Sequence, residues 1–122
     1  MPRILVADDN QCMRELMEAI LSAYGYRVTI AADGQAAWEE LPGCQPDLIL
    51  LDFEMPRADG CEICRRIKSQ PETRNIPVIL VSGRQDAADL AQSAGADAFL
   101  PKPFSIDDLR VRIEALLSVA VH

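Results

Sequence analysis

Four consecutive aliphatic residues, Leu48, Ile49, Leu50 and Leu51, run without a polar interruption into Asp52. A half-buried strand alternates apolar and polar side chains, so an unbroken run marks a strand buried on both faces, as in the middle of a parallel sheet. Such a sheet needs helices over both faces, and the flanking sequence supplies them. Strand-like segments at 3–7, 27–31, 48–51, 77–82 and 97–100 alternate with helical patterns. The first helix carries apolar residues at 13, 16, 17, 20, 21 and 24 as one stripe, with Gly25 where a left-handed cap belongs. A weaker helix starts at Asp33-Gly34 and is expected to close at Pro42-Gly43; the third places Ile63, Cys64 and Ile67 on one face and stops before Pro71. The fourth covers 86–94, and the last opens on Ser105-Ile106-Asp107-Asp108, a capping box, and turns Leu109, Ile113, Leu116 and Leu117 inward. The expectation is an α/β fold, a doubly wound five-stranded parallel sheet forming a single domain over residues 1–122.

Composition narrows the chemistry. Hydrophobic residues make up 49% and aromatics 5%, so the interior is aliphatic. Twelve basic against nineteen acidic side chains give 12 − 19 = −7. With no basic cluster, direct nucleic-acid binding is not expected, and a cation or a basic protein patch suits the chain better. Its apolar runs fall far short of the roughly 20 residues that a membrane span needs, so no membrane insertion is expected. The N-terminus leads straight into a strand and an acidic pair rather than a signal peptide, which makes a cytoplasmic location the expectation. Cys12, Cys44, Cys61 and Cys64 are read as reduced thiols, since an aliphatic core of this size needs no staples. The one histidine, His122, is the last residue, which argues against imidazole catalysis. Only two lysines occur, Lys68 and Lys102, so a lysine in a loop stands out.

In open α/β sheets ligands bind beyond the carboxyl ends of the strands, where the strand order reverses. The loops there offer Asp8, Asp9, Asp52, Ser82 and Lys102. Taken singly, a strand-terminal aspartate is a turn or capping residue. Turn chemistry does not predict that acids after strands one and three be matched by a hydroxyl after strand four and a scarce lysine after strand five. Three carboxylates brought together repel one another, and a divalent cation relieves that. An all-oxygen set with waters suits magnesium, with Lys102 adding a point charge from the far side.

At this level the chain resembles the response regulator receiver family. The match runs from Ile4-Leu5-Val6-Ala7-Asp8-Asp9-Asn10 to the final helix. On the way it takes in Leu51-Asp52-Phe53-Glu54-Met55-Pro56 with Asp59-Gly60, then Pro77-Val78-Ile79-Leu80-Val81-Ser82-Gly83, then Lys102-Pro103-Phe104. The resemblance implies a flavodoxin-like strand order 2-1-3-4-5. It implies Asp52 as phosphoacceptor, with Asp8, Asp9, Asp52 and the Glu54 backbone carbonyl around magnesium, for which manganese can substitute. Ser82 is implied as the switch hydroxyl, Lys102 as the phosphate-contacting lysine and Phe99 as the switch aromatic. Implied too are a phosphohistidine donor on a histidine kinase or histidine phosphotransfer protein, and a switched surface of helix four, strand five and helix five. That surface would serve a downstream effector protein or linked output domain, or a homodimer formed on phosphorylation. Departures are modest: Ala58 replaces a bulkier apolar residue and Gly83 follows the switch serine where alanine is frequent. The Lys102-Pro103 bond is expected to be cis. Glu54 and Arg84, two residues beyond Asp52 and Ser82, are expected to form a salt bridge across the pocket mouth that lengthens the life of the phosphoryl group.

Other readings are weaker. A haloacid-dehalogenase-like aspartyl-phosphate hydrolase would carry a second aspartate where Glu54 stands, so a switch rather than a turnover enzyme is expected. Cys61-Glu62-Ile63-Cys64 lacks a thioredoxin-like setting and has Cys64 on the buried stripe, against a redox role. Flavin phosphate would meet Asp8-Asp9-Asn10, which repel it. A degenerate receiver, binding partners without phosphorylation, conflicts with the retention of all five pocket side chains. Trp38, Tyr24, Arg65, Arg66, Asp86 and Asp89 are read as packing or solvated positions. A single-domain regulator and a receiver within a longer protein both fit the sequence.

Overall fold

The computed structural model describes residues 2–55 and 59–121; Met1, Pro56, Arg57, Ala58 and His122 lie outside them. Five strands, β1 (Arg3–Ala7), β2 (Arg27–Ala31), β3 (Leu48–Asp52), β4 (Val78–Ser82) and β5 (Ala98–Pro101), alternate with five helices. The helices are α1 (Gln11–Ala23), α2 (Gly34–Cys44), α3 (Gly60–Ser69), α4 (Ala87–Ala94) and α5 (Ile106–Val121). All neighbouring strands pair in parallel, and the order is β2-β1-β3-β4-β5, the doubly wound flavodoxin-like arrangement.

Strand alternation divides the core into two layers. Leu5, Ala7, Ile49, Leu51, Val78 and Leu80 point toward α2, α3 and α4, where they meet Leu41, Ile63, Cys64, Ile67, Ala87 and Ala91. Ile4, Val6, Leu48, Leu50, Ile79 and Val81 point the other way, onto Met17 and Leu21 of α1 and Leu109 and Ile113 of α5. Every residue of β3 and β4 is buried, as the unbroken apolar run requires. Both layers therefore hold the same central strands, and the carboxyl ends of β1 and β3 sit side by side.

Three details differ from the sequence pattern. In the α1 stripe only Met17 and Leu21 are buried, whereas Leu16 is 52% and Tyr24 37% exposed. A helix on a sheet buries a narrower strip than the full apolar face. Helix α2 continues through Pro42 and Gly43 to Cys44, and ends at Gln45 in the left-handed region (φ 44°). Proline this late in a helix forfeits one hydrogen bond near an end that is already loosening, so the turn survives. Strand β5 closes on Pro101, tolerable because β5 is an edge strand. The cysteines are free, with Cys61 and Cys64 buried. Burial lifts the Cys64 thiol to about 11 and raises that of Cys61, the reverse of what a redox pair needs.

Candidate functional site

β1 delivers Asp8 just beyond Ala7, and the first turn of α1 fixes it. The Asn10 amide donates to Asp8 Oδ1 at 2.9 Å, while the Asn10 side chain caps the helix by accepting from the Met13 amide at 3.0 Å. Arg14 Nη1 donates to the Asp8 carbonyl at 2.9 Å, a contact that nothing in the motif spacing announces. Asp8 is thereby held buried at the carboxyl end of the sheet while Asp9 next to it is exposed.

Asp52 ends β3 and is 5% exposed. Its surroundings are tight on the α3 side: a Cβ on Gly60 would lie 2.5 Å from the Asp52 carbonyl oxygen and 2.8 Å from Leu80 Cδ2, so only glycine fits. The Gly60 amide donates to the Phe53 carbonyl at 3.0 Å, and Asp59 caps α3 by accepting from the Glu62 amide at 2.8 Å. From the opposite side comes Lys102, whose amide donates to the Ser82 carbonyl at 2.9 Å as β5 leaves the sheet. The Lys102-Pro103 peptide is cis, as the sequence predicts. Lys102 Nζ reaches Asp52 Oδ1 at 3.3 Å, longer than the roughly 2.7–2.9 Å of a strong charge-assisted bond.

One carboxylate oxygen each from Asp8, Asp9 and Asp52 lie within 4.8 Å of one another. These acids face one lysine. Burial, followed by the Asp8 charge, pushes the Asp52 carboxyl up from its ordinary range to about 6, and Lys102 only partly offsets this. Hard oxygen donors, an excess of acids over the single lysine and a cleft of about 250 Å³ lined by Asp8, Asp9, Asn10, Met13, Asp52, Glu54 and Lys102 fit a divalent cation of the magnesium kind.

Ser82 ends β4 fully buried. Its hydroxyl donates to Glu54 Oε1 at 2.8 Å and accepts from the Arg84 amide at 3.0 Å. Phe99 on β5, paired in register with Leu80, is half-buried against the α2–α4 layer. The expected Glu54–Arg84 salt bridge is absent. Arg84 instead forks onto Asp86, Nε to Oδ1 at 3.0 Å and Nη2 to Oδ2 at 2.9 Å, with its guanidinium carbon 4.8 Å from the centre of the Phe53 ring. A partner two residues away costs less chain entropy than one on another loop, and the bidentate geometry satisfies the planar cation. With its charged end so engaged, Asp86 leaves α4 without a side-chain cap.

The sequence and the fold are shared with known proteins. The response regulator receiver domain family matches residues 4–114. The chain belongs to this family. Response regulator MprA of Mycolicibacterium vanbaalenii is 39% identical over 117 residues, covering 94% of this chain and 50% of that protein. MprA of Mycobacterium ulcerans is 40% identical with the same coverage, so the chain spans about half the length of these curated relatives. Among solved structures, the receiver domain of a Syntrophus aciditrophicus signal transduction histidine kinase superposes with a TM-score of 0.90 at 37% identity, covering 97% of this chain and 91% of that one. The receiver domain of a Pseudomonas aeruginosa sensor histidine kinase, solved with magnesium coordinated in its active-site cleft, gives 0.88 at 31% identity, with 96% and 98% covered. This chain is thus a receiver of the two-component response regulator class. No helix among its described residues is long and apolar enough to cross a membrane.

Proposed function

We propose that this receiver takes a phosphoryl group onto Asp52 in a magnesium-dependent reaction and passes the change to its helix-four, strand-five and helix-five surface. The observation that carries this is the Asp52 environment: a buried, electrostatically crowded carboxylate beside Asp8 and Asp9, faced by one loosely engaged lysine. Asp8, Asp9, Asp52 and the Glu54 carbonyl would hold the cation. When bound, it neutralises Asp52 and screens the incoming phosphoryl oxygens. Manganese, with similar oxygen preferences, would substitute.

The residues of the chain do the rest by position and charge. One Asp52 carboxylate oxygen forms the new P–O bond as the P–N bond to the donor imidazole breaks, and the imidazole leaves with that electron pair. Lys102 stands where a phosphoryl oxygen on Asp52 can replace the carboxylate as its partner. Ser82 donates its proton to another phosphoryl oxygen, and its shift lets Phe99 turn inward, biasing a two-state surface. The donor is a histidine kinase or histidine phosphotransfer protein in the cytoplasm. The recipient of the signal is an effector protein, a linked output domain or a second copy. The protein is a switch that is modified and reset, not an enzyme of turnover. All five pocket side chains are present, which leaves the degenerate-receiver reading without support.

The test is intact mass after incubation with acetyl phosphate. One phosphoryl group should appear with magnesium and none with a chelator in its place, and Asp9→Asn should weaken magnesium binding and slow transfer. Equal labelling with and without the metal would overturn the proposal.

A further inference from the structure

The contact that the sequence did not lead to expect is the one between Ser82 and Glu54. Ser82 lies at the end of β4, fully buried, and a hydroxyl has a single proton to donate. In this structure the proton goes to Glu54 Oε1 at 2.8 Å, and the Arg84 amide fills an oxygen lone pair at 3.0 Å. Glu54 itself is exposed and lies two residues past Asp52, on the loop between β3 and α3. The bond therefore ties the loop after the acceptor strand to the end of β4.

We propose that the Glu54 carboxylate is a latch that holds the Ser82 hydroxyl proton in the unphosphorylated chain and competes for it with the phosphoryl group on Asp52. The proposal rests on the reading of Asp52 as phosphoacceptor. A charged acceptor makes a stronger hydrogen bond than a neutral one, so the resting arrangement is actively held. A phosphoryl group brings roughly −1.5 to −2 charge and three acceptor oxygens. It cannot share one proton with a carboxylate, and repulsion drives the weaker anion out. Glu54 leaves into water, where it is already largely solvated, so release costs little desolvation. Ser82 then turns to the phosphoryl oxygen, and the tie between that loop and β4 is cut in the same event. Glu54 is a positioning residue here, acting through Ser82, and a carboxylate at this position raises the threshold for the switch.

Two measurements test the latch. In the unphosphorylated, metal-free protein the Arg84 amide reports on Ser82, because it donates to that hydroxyl. Its NMR resonance should move in Glu54→Ala and move less in Glu54→Gln, whose amide oxygen still accepts the Ser82 proton. The second is titration with beryllofluoride and magnesium, which together imitate the phosphoryl group. Glu54→Ala should lower the midpoint about tenfold, near the lower end of what a hydrogen bond to a charged group is worth. Glu54→Gln should fall between Ala and wild type, and the gain from Glu54→Ala should vanish in a Ser82→Ala background. Plain charge repulsion by Glu54 would give equal gains for Ala and Gln that persist without Ser82, and that result overturns the latch. An unmoved Arg84 amide in Glu54→Ala overturns it as well. A wild type that binds no beryllofluoride contradicts the phosphoacceptor reading itself, a failure distinct from these two.

Discussion

The two lysines of this receiver stand at opposite ends of one sheet and are held very differently. At the amino ends of β4 and β5, Lys68 Nζ donates to the Arg74 carbonyl at 3.2 Å, the Ile76 carbonyl at 2.8 Å and Asp97 Oδ2 at 2.7 Å, which uses all three of its protons. The same Asp97 oxygen accepts from the Val78 amide at 2.8 Å. At the carboxyl ends, Lys102 makes one contact of 3.3 Å with Asp52, whose own charge is opposed by burial and by Asp8. One end closes its electrostatics within the chain; the other leaves acids in excess of its one lysine. Under the proposed function, the unsatisfied charge lies where a cation and a phosphoryl group would bind, and the closed network lies at the far end of the sheet.

Asp52→Asn is the sharpest way to break this contrast. It should abolish phosphorylation while making the metal-free protein more stable, by about 3 kcal/mol, because the substitution removes a charge whose burial lifts its pKa from 3.8 to about 6. Chemical denaturation in a chelator checks the sign. A less stable Asp52→Asn protein would mean that the acid is well satisfied after all.

The same charge gives the metal-free protein a defined pH dependence. Below about pH 4 the Asp52 carboxyl is protonated in both folded and unfolded chains and costs nothing. Between about pH 4 and pH 6 the folded chain keeps the proton that the unfolded chain loses, so this group's contribution to stability falls as pH rises, and it is flat above the folded pKa. Magnesium should flatten or reverse the slope. Denaturation midpoints of wild type minus Asp52→Asn across that window isolate the effect from the other carboxylates.

Exchanging the two lysines for methionine one at a time separates the roles of the two ends of the sheet. Lys102→Met should slow phosphorylation by about 10²-fold, the scale of losing one charge-stabilising group, with little change in stability. Lys68→Met should leave the rate alone and cost about 2 kcal/mol, since two carbonyls and Asp97 lose a charged donor. The smallest effect belongs to Arg84→Ala. Its exposed fork with Asp86 should be worth no measurable stability, because solvent screens it.

Much of this was legible in the sequence because it rests on patterns with a fixed period or a fixed partner. The run Leu48, Ile49, Leu50, Leu51 placed β3 in the centre, and the strand-end rule gathered Asp8, Asp52, Ser82 and Lys102 before any geometry was known. What stayed hidden depends on angles and competition. The faces of Leu16 and Tyr24 turn on how α1 rolls against the sheet. Pro42 inside α2 turns on where the helix frays. Glu54 and Arg84 carry opposite charges on adjacent loops, yet each took a different partner, Ser82 and Asp86, and spacing does not rank such choices. Lys68 is one of only two lysines, but its helical position gives no hint that the Arg74 and Ile76 carbonyls and Asp97 converge on it.

The switch proposed for this receiver requires the phosphoryl group to reside on Asp52, the buried acid that Lys102 touches. The direct measurement is to label wild type with acetyl phosphate and magnesium, reduce the acyl phosphate with borohydride, and locate the modified residue by peptide mass spectrometry. A single reduced site is expected at Asp52, absent from Asp52→Asn. Label on another residue, or label that persists in Asp52→Asn, would contradict it.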